Sequence, residues 1–359
     1  MHDFAIVGAG IAGASLAAGL AQRGTVLLLE AEDRPGYHAT GRSAAFWTES
    51  YGGPLVQPLT SASYDFLEQH GLLKNRGGLT LARADEADDL EQFVRTFEAL
   101  GVRIDRQNRA QIEARLPGLK REWTCGAYEP DCRDIDVAAL HQFYLAKAKR
   151  LGADLWVRAE LVSARREGGG WALAMADGRS AAAGVLINAA GAWADVVAER
   201  SGVVPLGISP LRRTVVQLRM SMPVPSDLPL VMGHDGSFYF KPEGGKLWLS
   251  PHDEVPSLPC DAAPDELDVA MAIDRFEQVI DWPIAALEHK WAGLRSFAPD
   301  RLPIYGFDGQ QPHFFWFAGQ GGFGIQTAPA ASDLALRLVL GEPDGVIDPA
   351  PYSPVRFVH

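Results

Sequence analysis

The chain has 359 residues, 47% hydrophobic and 22% charged, an ordinary balance that excludes intrinsic disorder and allows a large core or two structural units. A formal net charge of -12 without Lys/Arg runs argues against a nucleic-acid face or an anionic-membrane anchor. Three cysteines, Cys125, Cys132 and Cys260, lack C-x-x-C spacing and the nine histidines lack paired ligand spacing, so a reducing compartment is expected and no disulfide framework or metal site.

In chain order, the first strand is expected by about Phe4, which leaves no room for a signal peptide. DFAIVGAG, IAGASLAAGLAQRG and TVLLLEAE read as strand, helix and strand, the continuous apolar run at 25–29 suiting a parallel sheet buried on both faces. Helices follow at 61–70 and 87–100, the second with Leu90, Phe93, Val94, Phe97 and Leu100 on one stripe. A further helix at 136–150 starts acidic and ends basic, as the helix dipole favours. Short strands return over 155–190. The apolar stretch 181–198 carries Asn188 and Asp195, so it reads as a buried strand and helix rather than a membrane span.

From 205 to 255 the pattern alternates, as in RRTVVQLRM and SFYFKPEGGKLWLS, which predicts a half-exposed antiparallel sheet with a hairpin about Glu243, Gly244 and Gly245. Period two puts Arg213 with Val215 and Gln217 on one face and Arg212 on the other, and separates Tyr239 from Phe238 and Phe240. A helix at 265–280 is expected to turn Leu267, Ala270, Met271, Ile273 and Phe276 inward. The last segment, HFFWFAGQGGFGIQTAPAASDLALRLVLGEP, reads strand, glycine turn and helix, stopped by Gly341 and Pro343. The order α/β, insert, α/β, insert, α/β predicts an α/β (α+β) fold with a discontinuous cofactor domain.

Gly8, Gly10 and Gly13 form G-x-G-x-x-G between a strand and a helix, and Glu30 closes the next strand. Gly8 permits the tight turn, Gly10 lets the backbone approach a pyrophosphate, Gly13 lets helix and strand pack, and Glu30 accepts from ribose hydroxyls. The motif does not by itself separate NAD from FAD. The long segment EDRPGYHATGRSAAFW after Glu30 favours FAD, because it can cross beneath an extended cofactor with the amides of Arg42 to Ala45 serving phosphates or ring. The continuation SAAFWTESYGG is too aromatic for a loop that only reverses the chain.

VGAGIAGAS, GYHATGRSAA, NAAGAWAD, WAGLRSF and GQGGFGIQTAP, in this order along nearly the whole chain, together resemble the D-amino-acid oxidase-like family of FAD-dependent amine oxidoreductases, and within it the bacterial D-arginine dehydrogenases. The resemblance implies a Rossmann-like glycine-motif FAD-binding domain (1–75, 135–205 and 291–359) interleaved with an antiparallel-sheet substrate domain (76–134 and 206–290). It implies non-covalent FAD held by Gly8, Gly10, Ile11, Ala12, Gly13, Glu30, Ala31, Arg42, Ser43, Ala44, Ala45, Val162, Ala190, Gly191, Trp193, Gly321, Gly324, Ile325 and Thr327. His38 lies close enough to touch the cofactor, though a structural role suits it better.

By the same resemblance, Thr48 to Tyr51 form a mobile lid, Arg295 and then Arg213 bind a substrate carboxylate, and Tyr51 and Tyr239 hydrogen-bond it. Gly322 offers its carbonyl to the substrate amine, with Gln326 beside it. Two positions depart from the D-arginine dehydrogenases: Phe46 replaces a lid histidine, and Gly78 replaces the glutamate that pairs with a guanidinium. Leu230 and Met232 add apolar wall. Asp235 or Glu49 remain as carboxylates able to substitute from another direction. The reading is oxidative deamination of a neutral, hydrophobic D-amino acid by hydride transfer from Cα to flavin N5, with a quinone-like carrier or dioxygen as electron acceptor. Oxidation of a secondary or cyclic amine, and a non-catalytic flavin-binding subunit, are the alternatives. A monomer or small homo-oligomer in the cytoplasm is expected, touching the inner membrane only through its acceptor.

Overall fold

The computed structural model describes residues 1–342 and 345–357. The apolar runs His2–Val7 and Val26–Leu29 pair in parallel at the centre of one sheet, with Ser180–Asn188 on the other side of His2–Val7. Val26–Leu29 pairs outward with Asp154–Trp156. Ser180–Asn188 divides its outer edge: its first half pairs antiparallel with Gly170–Met175, which leads to Leu161–Glu167, and its last residues pair in parallel with Phe314–Ala318, which leads to Ile304–Phe307. The helices Ile11–Leu20, Val137–Arg150 and Ala328–Leu340 bury their apolar sides on one face of this sheet. The expected helix stop is met at Gly341, which takes φ 63; Pro343 lies outside the described residues.

The second sheet runs Val255–Pro256, Ser209–Met220, Lys246–Ser250, Tyr239–Glu243, Leu230–Gly233, Gly78–Arg83, Trp123–Glu129, Asp105–Asn108, with Ile284–Phe297 paired along the length of Ser209–Met220. The hairpin turns at Gly244 and Gly245, both at positive φ, which lets two residues reverse the chain. One pair departs from the antiparallel expectation: Leu230–Gly233 runs parallel to Gly78–Arg83, because these strands come from distant segments rather than a hairpin. Nor is the sheet half exposed: Leu79, Val216, Phe238, Phe240 and Leu249 pack beneath the helix Glu266–Glu277, and Arg213, Val215, Leu230 and Tyr239 on the opposite face are buried as well. That helix turns Val269, Ala272 and Phe276 inward, and Leu267 stands 69% exposed, contrary to the predicted stripe. Asp268 takes an inward position because Arg212, on the same side of the sheet, pairs with it at 2.8 Å. In the helix Ala87–Glu98, Leu90, Val94 and Phe97 are buried as expected, and Leu100, beyond its end, is exposed.

A small sheet of Phe46–Trp47, Arg133–Ile135 and Leu73–Asn75 connects the two. The aromatic segment SAAFWTESYGG thus contains a short strand, pinned by Trp47 Nε1 donating to Thr60 O at 2.8 Å; Trp47 is core.

Candidate active site

The glycine turn is dictated by close packing of the backbone. A Cβ at Gly13 would stand 1.8 Å from Gly8 O, and Gly8, at φ 99, has Ala189 O where its own Cβ would be. Ile11 N donates to Thr40 Oγ1 at 3.0 Å, fixing the segment after Glu30 over the helix start. Glu30 accepts from Ala9 N and Glu32 N at 3.1 and 3.0 Å, which leaves further lone pairs, and burial raises its pKa. Val162 is the extra residue of a bulge between Leu161, paired with Met175, and Ser163, paired with Ala174; it stands 42% exposed, with its backbone outside that ladder. Gly191 takes φ 55 in the turn that carries Ala190, and Trp193 packs on His38, whose Nε2 faces Glu32 at 2.8 Å. Ala12 lies partly buried in the helix and Ala31 is exposed past Glu30. The Arg42 side chain is spent elsewhere, on Ala262 O, Ala292 O and Asp261, so only its backbone remains for a cofactor. Beside Ser43, Ala44 and Ala45 a cavity of about 550 Å³ opens, walled by Lys241 and Trp248.

The second sheet presents its other face here. Arg213 lies opposite Gly293, and Arg295 opposite Leu211, so both guanidiniums project diagonally from one side. Tyr239, opposite Met232 and Ser250, belongs to the same face, as does Leu230, while Phe238 and Phe240 enter the core. The predicted sorting by period two is therefore observed. Arg213 is 4% exposed; its Nε donates to Asp253 O at 2.7 Å and its Nη2 lies 3.4 Å from Glu254, yet its buried Nη1 has no partner among the described residues. Burial and the neighbouring Arg295 push its pKa down to about 10. For Arg295 burial acts in the same downward direction, but the phenols of Tyr51 and Tyr239 outweigh it and leave the pKa raised.

The segment 48–53 closes over this face. Arg295 Nη1 donates to Tyr51 Oη at 2.7 Å, and the Phe46 ring meets those of Tyr51 and Tyr239 at 5.3 and 6.2 Å. Gly322 touches the same pair: a Cβ there would come 2.7 Å from Arg295 Nη1 and 2.8 Å from Tyr51 Oη. Gln326 is buried and spends both ends of its amide nearby, accepting from Thr48 N at 3.3 Å and donating to Tyr51 O and Thr60 Oγ1 at 3.1 and 2.9 Å. It braces the lid. In the glycine turn, Gly321 is walled by Phe297 and Phe323, Gly324 by Gln320, Ile325 is buried, and Thr327 Oγ1 donates back to Phe323 O at the head of the last helix.

Neither alternative carboxylate enters the site. Asp235 takes Ser237 N and Oγ in its own turn, and Glu49 pairs with Ser61 and Gln57 on the helix behind the lid. Three residues that sequence reasoning missed do belong to the site's construction. His141 Nε2 donates to Ala9 O at 2.8 Å and supports the glycine turn. His252 holds φ 55, its Nδ1 bonds Gly236 O, and its ring lies 5.7 and 6.4 Å from those of Tyr239 and Tyr51. Glu129 is buried beneath the lid. None carries a local motif; only the pairing of distant strands brings them together.

Comparison with known proteins gives the family and the fold. The family described as FAD dependent oxidoreductase (DAO) matches residues 3–338. Glycine oxidase of Geobacillus kaustophilus is 26% identical over 99% of this chain and 97% of its own length, and its crystal structure superposes with a TM-score of 0.86 over 100% of this chain and 99% of that one at 23% identity. L-proline dehydrogenase from P. horikoshii gives 0.87 at 21% identity over 99% and 97%, and L-amino acid deaminase from Proteus vulgaris 0.81 at 18% over 99% and 94%.

Proposed function

Since the chain belongs to the DAO family of FAD-dependent oxidoreductases, we propose that it oxidatively deaminates a neutral, hydrophobic D-amino acid. The observation that carries this reading is the pair of buried arginines on one sheet face, with Arg213 Nη1 unpartnered among the described residues. A buried guanidinium nitrogen without an acceptor is costly, and a substrate carboxylate across Arg213 and Arg295 would satisfy it. Tyr51 would close on the same carboxylate. The carbonyl of Gly322, beside Arg295 and Tyr51, would take the amine. Bound FAD supplies the hydride acceptor, so the substrate Cα–N is oxidised to an imine that water hydrolyses to a 2-keto acid and ammonia.

Phe46, Leu230 and Met232 supply an apolar wall, Gly78 contributes no carboxylate, and Asp235 and Glu49 are committed elsewhere. Glu129, opposite Gly78, is spent on Glu49 N and Ser50 Oγ, so a cationic side chain would be desolvated here without a free carboxylate. Segments 1–75, 135–205 and 291–359 would carry the cofactor and the remainder the substrate; every strand of the first sheet falls in the former, whereas Ile284–Phe297 runs across position 290. Oxidation of a cyclic secondary amine is a second reading, favoured by the aromatic cage of Phe46, Tyr51 and Tyr239.

The test is anaerobic mixing with D- and L-amino acids, glycine, sarcosine and proline, following loss of the oxidised flavin band. D-Leu, D-Met and D-Phe are expected to reduce the flavin faster than D-Arg or D-Lys. Reduction only by proline or sarcosine moves the protein to the second reading, and a preference for D-Arg sinks the argument from Gly78.

A further inference from the structure

Glu129 ends the strand Trp123–Glu129 directly opposite Gly78, on the face of the second sheet that carries the arginines. It is 5% exposed, and no step of the proposed chemistry uses it. Both carboxylate oxygens point at the lid: one accepts from Glu49 N at 2.7 Å, the other from Ser50 Oγ at 2.6 Å. No arginine or lysine pairs with it among the described residues, so a carboxylate is kept in the interior on hydrogen bonds alone. Burial raises its pKa accordingly.

The same short segment is held from the opposite side by Gln326, through Thr48 N and Tyr51 O. Glu129 belongs to the substrate sheet and Gln326 to the turn before the last helix, and between these two anchors the chain delivers Tyr51 Oη to Arg295 Nη1 at 2.7 Å. We propose that Glu129 is a positioning residue that latches segment 48–51 shut and thereby sets Tyr51 against Arg295 for substrate binding. The proposal rests on the reading of Arg295 and Tyr51 as the carboxylate site. Glutamine is the conservative replacement: its Oε1 can still accept from Glu49 N, and the Ser50 hydroxyl can rotate to accept from its amide.

Two measurements on the FAD-bound protein test this. Hydrogen exchange reads the latch directly, because the Glu49 amide is one of the two donors. Glu129→Ala should speed exchange of residues 49–52 at least tenfold while leaving strands 78–83 and 123–128 unchanged, and Glu129→Gln should restore most of the protection. Unchanged exchange in 49–52, or equal loosening of the whole sheet in both variants, would overturn the proposal. The second measurement is a double-mutant cycle with Tyr51→Phe, using D-leucine reduction of the flavin. Glu129→Ala should raise the half-saturating D-leucine concentration roughly tenfold in the wild-type background and less than twofold in Tyr51→Phe; equal effects in both backgrounds would show that Glu129 does not act through Tyr51. If D-leucine does not reduce even the wild-type flavin, the substrate reading has failed, and the exchange experiment decides the latch by itself.

Discussion

His252→Gly should reshape the pH dependence of stability while leaving the fold intact. The imidazole is pushed down to about 2 by burial and by Arg213 and Arg295, so it stays neutral in the folded protein through the mildly acidic range. In the unfolded chain it gains a proton below about pH 6.5. A pKa depressed on folding gives stability that is present above the unfolded value and lost as pH falls through the window towards the folded one. Each pH unit below about 6.5 removes about 1.4 kcal/mol, so roughly 2 kcal/mol is gone by about pH 5. Glycine removes that term. It also loses the Nδ1 bond to Gly236 O, on the order of 1 kcal/mol, but adopts φ 55 without the strain, of similar order, that a side chain incurs there. Beyond the offset that the lost packing against Tyr239 and Tyr51 leaves near pH 7.5, the variant should have gained about 2 kcal/mol on the wild type by about pH 5. Urea unfolding of both proteins at saturating FAD, from about pH 8 to about pH 5, measures the difference at each pH with the cofactor term in common. Parallel stability curves for the two proteins would refute the assignment of His252 as a buried neutral imidazole.

Arg295→Lys should retain bound FAD yet raise the half-saturating amino-acid concentration by about 100-fold, since an ammonium cannot reproduce the planar two-donor fork; steady-state titration beside flavin content checks it. Gly322→Ala places a methyl against Arg295 Nη1 and Tyr51 Oη and should lower kcat/KM at least tenfold, with flavin content and Tm nearly unchanged, as read by anaerobic flavin reduction and a thermal melt. Gly13→Ala drives a methyl into Gly8 O, so the protein is expected to purify colourless or not to fold, and an absorbance spectrum suffices to decide. Glu30→Gln should weaken FAD binding about tenfold by replacing an acceptor of the ribose hydroxyls with a donor, measured by fluorescence titration of the FAD-free protein.

Legibility from sequence followed the range of the interactions. The glycine turn is a local device: Gly8, Gly10 and Gly13 lie within one strand-to-helix junction, and the steric demand that Gly13 meets comes from Gly8, five positions away. The alternation that separated Arg213 from Arg212 and Tyr239 from Phe238 and Phe240 is likewise a property of single strands. The helix Glu266–Glu277 shows where such reasoning stops. Its apolar residues allow two neighbouring stripes, and the choice falls to an ion pair between Asp268 and Arg212, a residue 56 positions earlier. Glu129 was invisible for the same reason. At the end of WTCGAYE it looks like a solvent-facing strand residue until Gly78 and the lid are folded over it.

The two faces of the second sheet explain how this scaffold tolerates such a concentration of buried polar groups. One face is an apolar layer against the helix Glu266–Glu277, which anchors the strands without asking anything of the other face. The register of Ser209–Met220 with Ile284–Phe297 then holds Arg213 and Arg295 side by side although like charges repel, each partly compensated: Arg213 by Asp253 and Glu254, Arg295 by Tyr51. Compensation stops short of completion at Arg213 Nη1. His252, beside both tyrosine rings and kept neutral by burial and by these same guanidiniums, adds no third charge. This face is thus short of one acceptor group, a deficit that the proposed substrate carboxylate would meet. The lid acts on the same deficit. With Tyr51 bonded to Arg295 and its segment held by Glu129 and Gln326, this segment shields from water a guanidinium nitrogen of Arg213 that lacks a partner among the described residues, and a low-dielectric surrounding strengthens the attraction of such a group for an anion.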